Sequence, residues 1–240
     1  MGNLMKYAVI AAGEGSRLTQ EGIRTPKPLV EVEGERLVDR LLRIFEAQGA
    51  SEIIVICNEH MQEVREHLTS VQQTCRLPLR LVVKSTPSSM HSLWEIRRWL
   101  DDGPCVLTTV DTVFLETEFS QYVSDFQKAL KQNEVDGLMG VTDYIDDEKP
   151  LYVGTDEGMR ITAFLDQCGA PQYVSGGIYG LTPKSLYTLK VCVERGEQRM
   201  RNFQRAMLRD GLKLKAWPFS KVLDIDHASD IQKAEAFLRA

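Results

Sequence analysis

Lys6-Tyr-Ala-Val-Ile-Ala-Ala12 runs straight into Gly13-Glu-Gly-Ser-Arg-Leu18, and Thr25-Pro-Lys-Pro-Leu29 follows. The first run is almost continuously apolar, as a strand buried on both faces of a parallel sheet is. Two glycines end it and deliver a flexible, donor-rich backbone to one edge of that sheet. Arg17 and Lys27 set two cations beside this loop, a combination that suits a polyphosphate. Proline on either side of Lys27 pre-sets the backbone and aims the ammonium. The plainer alternative is a glycine turn with two solvated charges.

Two other glycine loops fit less well. A dinucleotide-binding turn wants a third glycine opening a helix and an acidic residue about 20 positions on. Here Leu18 stands at the third position, and the reading is a polar, proline-containing loop in place of a helix. A P-loop wants Gly-Lys-Ser/Thr at its close, and none is present.

Working outward, strands are expected at 30–32, 53–57, 79–83 and 105–110. Helices lie between them, the first on Leu37, Val38, Leu41, Leu42 and Phe45 at helical spacing and closed by Gly49. Strand–helix alternation predicts an α/β fold, a three-layer αβα sandwich on a mostly parallel, doubly wound, Rossmann-like sheet. Ligands bind such sheets at the carboxyl ends of the strands, where the glycine loop and Asp111 both fall. Later come a helix from Thr117 as cap, a strand at 137–144, a hairpin turning at Asp156-Glu-Gly158, and a strand at 173–181. A helix follows Pro183, another spans 198–209, short strands lie near 214–219 and 222–225, and a last helix follows. Gly176-Gly177 inside a strand marks either a close approach by a ligand or a bulge. Residues 1–240 read as one domain, with about 144–220 as an inserted lobe.

Net charge is -5 with 43% hydrophobic residues, so no broad basic surface exists for nucleic acid. No opening stretch reads as a membrane span or a leader. The 5 cysteines are scattered without a C-x-x-C pair. These features predict a reduced, cytoplasmic protein with no nucleic-acid or membrane partner. The 4 histidines form no metal-ligand spacing. His227, next to Asp226, is the one nearest a candidate site.

The stretch from Ala11 to Leu18 with Thr25-Pro-Lys-Pro-Leu29 closely resembles the signature of the sugar-1-phosphate nucleotidyltransferases, which share a fold with the cholinephosphate cytidylyltransferases. The likeness extends to Asp111, to Ser175-Gly-Gly-Ile-Tyr179 and to Asp224-Ile-Asp226-His. With the chain stopping at Ala240, it resembles a short member lacking the β-helix that many relatives carry. The resemblance implies transfer of a nucleoside monophosphate from an NTP to a phosphorylated sugar, with release of pyrophosphate. A CTP-dependent enzyme acting on a phospho-alcohol such as cholinephosphate is the alternative, and a non-catalytic nucleotide-binding homologue a second one. The implied cofactor is Mg²⁺, held by Asp111 and Asp226, with Asp224 as runner-up. Plainer readings stay open, in which Asp111 starts a turn and Asp226 sits at a helix N-terminus.

Arg17 and Lys27 would be catalytic, Arg17 on the departing pyrophosphate and Lys27 at the α-phosphate. Ala11, Ala12, Gly13 and Gly15 would line the nucleotide, and Ser88 and Ser89 would either read its base or cap a helix. Gly176, Gly177 and Asp166 would lie at the acceptor. Relatives place a Glu-Lys-Pro after the hairpin strand, where this chain has Asp166-Gln-Cys168. Glu148-Lys-Pro150 precedes the hairpin and reads as coincidence. Arg160, Arg199, Arg201 and Lys221 remain unranked candidates for the acceptor phosphate.

Overall fold

The computed structural model of the chain describes residues 5–146, 148–169 and 172–239. Strand β1 (Lys6–Ala11) leads to a small antiparallel pair, β2 (Glu31–Val32) and β3 (Glu35–Arg36). In the main sheet β1 lies between β4 (Glu52–Cys57) and β6 (Cys105–Thr109), and β5 (Leu79–Val83) extends the sheet beyond β4, all four parallel. Both faces of β1 are covered. Tyr7, Val9 and Ala11 join one core, while Ala8, Ile10 and Ala12 join the other. That is why β1 reads as a continuous apolar run.

Helices α2 (Leu37–Ala47), α3 (Gln62–Thr74), α5 (Glu116–Lys131) and α8 (Ala228–Leu238) contribute to the first core. Helices α4 (Ser89–Ile96), α6 (Pro183–Glu194) and α7 (Met200–Arg209) fill the second. The first core centres on stacked rings: Phe119 lies 4.7 Å from Phe114, 5.7 Å from Phe45 and 5.9 Å from Tyr122, centroid to centroid.

Beyond β6 the sheet turns mixed. Strand β11 (Tyr173–Leu181) runs antiparallel to β6 on one edge and to β8 (Gly137–Thr142) on the other. Strand β12 (Leu214–Phe219) lies parallel to β8, and the hairpin β9 (Tyr152–Thr155) and β10 (Ile161–Leu165) adds to the start of β11. Among the described residues these nine strands form one sheet, so the 144–220 segment is built into it. Two antiparallel steps return β8 to the direction of β1. The carboxyl ends of β1, β4, β6 and β8, with the start of β11, therefore share one edge. No described helix is long and apolar enough to cross a membrane.

Three local features depart from the sequence reading. A short helix, α1 (Ser16–Gln20), replaces the expected loop. Gly15 at φ +62 turns the chain into it, and the buried Leu18 anchors it before Gly22 (φ +92) ends it. Thr117 lies inside α5 and does not cap it: Leu115 precedes the helix, whose first turn carries Glu116 and Glu118, the charges its dipole favours. Helix α4 starts at Ser89, earlier than its apolar spacing suggests, because Ser88 caps it and accepts from the His91 amide.

Gly176-Gly177 forms a bulge, where the register against β8 shifts between Ser175 and Ile178. A Cβ on Gly177 (φ +70) would meet Thr112 Oγ1 at 2.9 Å, and one on Gly176 would meet Val222 Cγ2 at 3.1 Å. The close approach here is by protein groups.

Candidate active site

Lys27 sits in a single 3₁₀ turn, Lys27–Leu29, entered through Pro26. Its side chain is 8% exposed. The stem lies against the glycine loop, where a Cβ on Gly15 would stand 3.1 Å from Lys27 Cβ. Gly15 is thus required twice, for its positive φ and for this contact. Lys27 Nζ donates to Asp111 Oδ2 at 2.7 Å and to Asp226 Oδ1 at 2.6 Å. Burial disfavours the ammonium, but the charge of Asp111 and the hydrogen bonds to both carboxylates outweigh it and hold Lys27 above its ordinary range.

The two carboxylates come from distant parts of the chain. Asp111 follows β6. The next residues, β7 (Thr112–Val113), pair antiparallel with β13 (Leu223–Asp224), and the Ile225 amide donates to the Asp111 carbonyl. This clasp carries Asp226 across to Lys27. Asp226 Oδ2 also accepts from Arg17 NH1 at 2.8 Å. Asp224 lies nearby and accepts from Thr112 Oγ1 at 3.3 Å. Among the described residues no three His, Cys, Asp or Glu cluster as a metal cage. Two carboxylates converging on one buried cation do match the demand of Mg²⁺, which takes one or two protein carboxylates and completes its shell with water and phosphate oxygens.

A cleft of about 600 Å³ opens on one side of Lys27 and Asp111. Ala12, Gly13, Ser88 and Ser89 line it. Ala11 and Gly15 do not: strand alternation turns Ala11 into the first core, and Gly15 backs Lys27. Asn58 also lines the cleft and was missed. It is 5% exposed, donates to the Ala12 carbonyl and accepts from Ser85 Oγ at 2.7 Å. Its signal was its place directly after an apolar strand, β4.

A second, smaller pocket of about 60 Å³ lies on the other side of Asp226, lined by Arg17, Tyr144, Glu148, Gly176, Asp224 and His227 among others. Arg17 thus borders this pocket and not the large cleft, because Asp226 and Glu148 (3.6 Å) draw its guanidinium there. Glu148 borders this small pocket and the Arg17 guanidinium. Gly176 reaches the small pocket, whereas Gly177 packs on threonines. Asp166 is elsewhere: β10 doubles back against β9, and Arg201 and Arg205 of α7 take both its oxygens. Of the candidate cations, Arg201 is held there, Arg199 borders the same groove, and Lys221 stacks on Tyr144 at 4.2 Å beside the small pocket. Arg160 pairs through its backbone with Asp156.

His227 precedes α8 in a capping box with Asp230, and its Nδ1 meets Glu21 Oε1 at 2.6 Å. This contact raises the His227 pKa above its ordinary 6.5 and lowers that of Glu21 below its ordinary 4.5, the side-chain hydrogen bond being the main cause for both. The histidine's contribution to stability is full below 6.5 and is lost as pH rises through its raised folded value. The glutamate's is present above 4.5 and is lost as pH falls through its lowered one. The Tm difference between wild type and Glu21→Gln should therefore be largest between pH about 4.5 and 6.5 and shrink toward pH 9. A residue should remain there because Glu21 also accepts from the Ala228 amide. Thermal melts across that range check it, and a flat difference would show that the pair contributes nothing.

The sequence profile of the MobA-like NTP transferase domain matches residues 7–156. A glucose-1-phosphate cytidylyltransferase of Salmonella typhimurium is 29% identical over 66 residues, covering 28% of this chain and 26% of that protein. The CMP-5'-(3-aminopropyl)phosphonate synthase of Streptomyces rubellomurinus is 27% identical over 177 residues, covering 67% of this chain and 28% of that protein. The matched segments thus span only about a quarter of the length of these two relatives. The solved inositol-1-phosphate CTP transferase from T. maritima superposes with a TM-score of 0.79 at 19% identity, covering 99% of this chain and 97% of that one, and shares the fold.

Proposed function

Because the chain belongs to the MobA-like NTP transferase family, we propose that it transfers a nucleoside monophosphate from an NTP to a phosphorylated sugar, releasing pyrophosphate and forming an NDP-sugar. The observation that carries this reading is the buried Lys27, bracketed by Asp111 and Asp226, on the ridge between a cleft sized for a nucleotide and a smaller pocket.

In this reading the triphosphate lies along the amides from Gly13 onward, with the base toward Ser88 and Ser89. An oxygen of the acceptor phosphate attacks the α-phosphorus. The bond from that phosphorus to the bridging oxygen of the β-phosphate breaks, and its electron pair leaves with pyrophosphate. The nucleophile is already anionic, so no general base is needed. Lys27 offsets the charge that builds at the α-phosphate. Arg17, a short reach from Asp226, serves the phosphates on either side of the ridge. Asp111 and Asp226 would hold Mg²⁺, which when bound neutralises charge on the triphosphate.

The 144–220 segment supplies much of the acceptor side, with Gly176 at the pocket wall. That wall also carries Asp146, Glu148, Asp224 and Asp230 beside Tyr144. Such a lining favours, as a second reading, CTP-dependent transfer to a phospho-alcohol or phosphonate bearing a cationic nitrogen, such as the quaternary ammonium of cholinephosphate. The name of the Streptomyces relative agrees with it. All five cysteines are unpaired, which supports a reducing, cytoplasmic setting.

Pyrophosphate release should be measured across all NTPs, with sugar 1-phosphates and phospho-amino-alcohols as acceptors and Mg²⁺ present. One donor–acceptor pair is expected to turn over, with the others at background. NTP binding with no release across the panel would leave a nucleotide-binding homologue without catalysis.

A further inference from the structure

Asp226 holds both cationic groups of the site at once, Oδ1 accepting from Lys27 at 2.6 Å and Oδ2 from Arg17 at 2.8 Å. With Asp111 2.7 Å from the same ammonium, Lys27 Nζ sits between the two carboxylates that a divalent cation needs. The arrangement is built in. The lysine stem is buried, two prolines fix its backbone, and Gly15 leaves room for it. Mg²⁺ bonds its oxygen ligands at about 2.0–2.1 Å. Placed between these carboxylates, it would stand almost in contact with the ammonium, and the two like charges repel steeply at such range.

We infer that Lys27 is a resident competitor for the metal. The carboxylate pair keeps its ammonium against a bare divalent cation and yields to the metal when a triphosphate arrives. The triphosphate gives Lys27 and Arg17 new anionic partners, so loading is an exchange of partners. The metal takes Asp111 and Asp226, and the two side chains turn to phosphate. Metal and nucleotide then bind with positive coupling, and each raises the affinity for the other by the same factor. The nucleotidyl-transfer reading enters only in the choice of metal and triphosphate as the incoming pair.

The test is calorimetric titration of the full chain with Mn²⁺ alone, without nucleotide. Lys27→Met is expected to bind Mn²⁺ about 10- to 100-fold more tightly than wild type, the range of typical site–site coupling. Arg17→Gln, which frees only Oδ2 of Asp226 and leaves Lys27 on Oδ1, should gain less. Adding Asp226→Asn to Lys27→Met should abolish the gain. Mn²⁺ should also raise the Tm of Lys27→Met more than that of wild type.

Equal Mn²⁺ affinity in wild type and Lys27→Met would overturn the inference, as would a gain that survives Asp226→Asn. If Lys27→Met does not fold, Lys27→Gln decides: it likewise removes the ammonium from between Asp111 and Asp226, and unchanged Mn²⁺ affinity there would be equally decisive. None of these readouts needs turnover. A silent substrate panel therefore leaves them standing, and turnover without the gain in Mn²⁺ affinity overturns only the competition.

Discussion

Lys27→Met is expected to lower the rate of pyrophosphate release by about 10²–10³-fold, the usual loss when one preorganised donor is removed from a developing charge. The methionine stem keeps the packing against Gly15, so the loss reads the ammonium and not a cavity. Lys27→Arg is no rescue in this geometry. A guanidinium is wider than an ammonium and does not fit as a point donor between Asp111 and Asp226. Lys27→Met also leaves Asp111 without its cation and Asp226 with Arg17 alone, which costs stability. Rates should therefore be compared well below the variant's own Tm, with its circular dichroism checked against wild type. A rate within threefold of wild type would remove Lys27 from the chemistry.

The largest effect on folding is expected at Phe119. Its ring is fully buried and packs on Tyr7, Phe45, Phe114 and Tyr122. These neighbours come from β1, α2, the end of the β7 segment and α5 itself, so one ring ties the sheet to two of its covering helices. Truncation to alanine removes apolar contact and leaves a cavity that ring neighbours on four sides cannot close. The expected cost is about 3–5 kcal/mol, which for a chain of this length lowers Tm by roughly 10 °C. Urea unfolding of Phe119→Ala and of Phe119→Leu checks it, with Leu expected to recover part of the loss. A cost below about 1 kcal/mol would mean the cluster collapses freely, against the density of ordinary cores.

The parallel half of the fold was legible because its signals are local. Apolar runs with both faces buried mark β1, β4 and β6, and the residue following such a run at the ligand edge marks the glycine loop and Asp111. Asn58, directly after β4, satisfies the same rule. Glu148 lay further from reach. Its proximity to Arg17 follows from β8 pointing the same way as β1, which depends on two antiparallel pairings through β11 that no stretch of sequence announces.

The misplacement of Asp166 has the same root. Only the return of β10 against β9, and the arginines that α7 then presents, decide where that carboxylate goes. Helix α1 was hidden for a different reason. Five residues are too few for periodicity to register, and its existence rests on the left-handed Gly15 and the single buried Leu18. The location of Arg17 is a matter of charge rather than of chain path, and only the carboxylates around it settle that.

The clasp of β7 with β13 sets a timetable as well as a shape. Lys27 and Asp226 are 199 residues apart, and Arg17 and Asp226 are 209 apart. During synthesis the parallel half can close its glycine loop, Lys27 and Asp111 long before Asp226 is translated. Until then the lysine has one carboxylate and the arginine lacks its main one. The cluster is therefore complete only once Asp226 has been made, and a chain grown no further than Asp111 holds the glycine loop and both cations without the carboxylate that joins them.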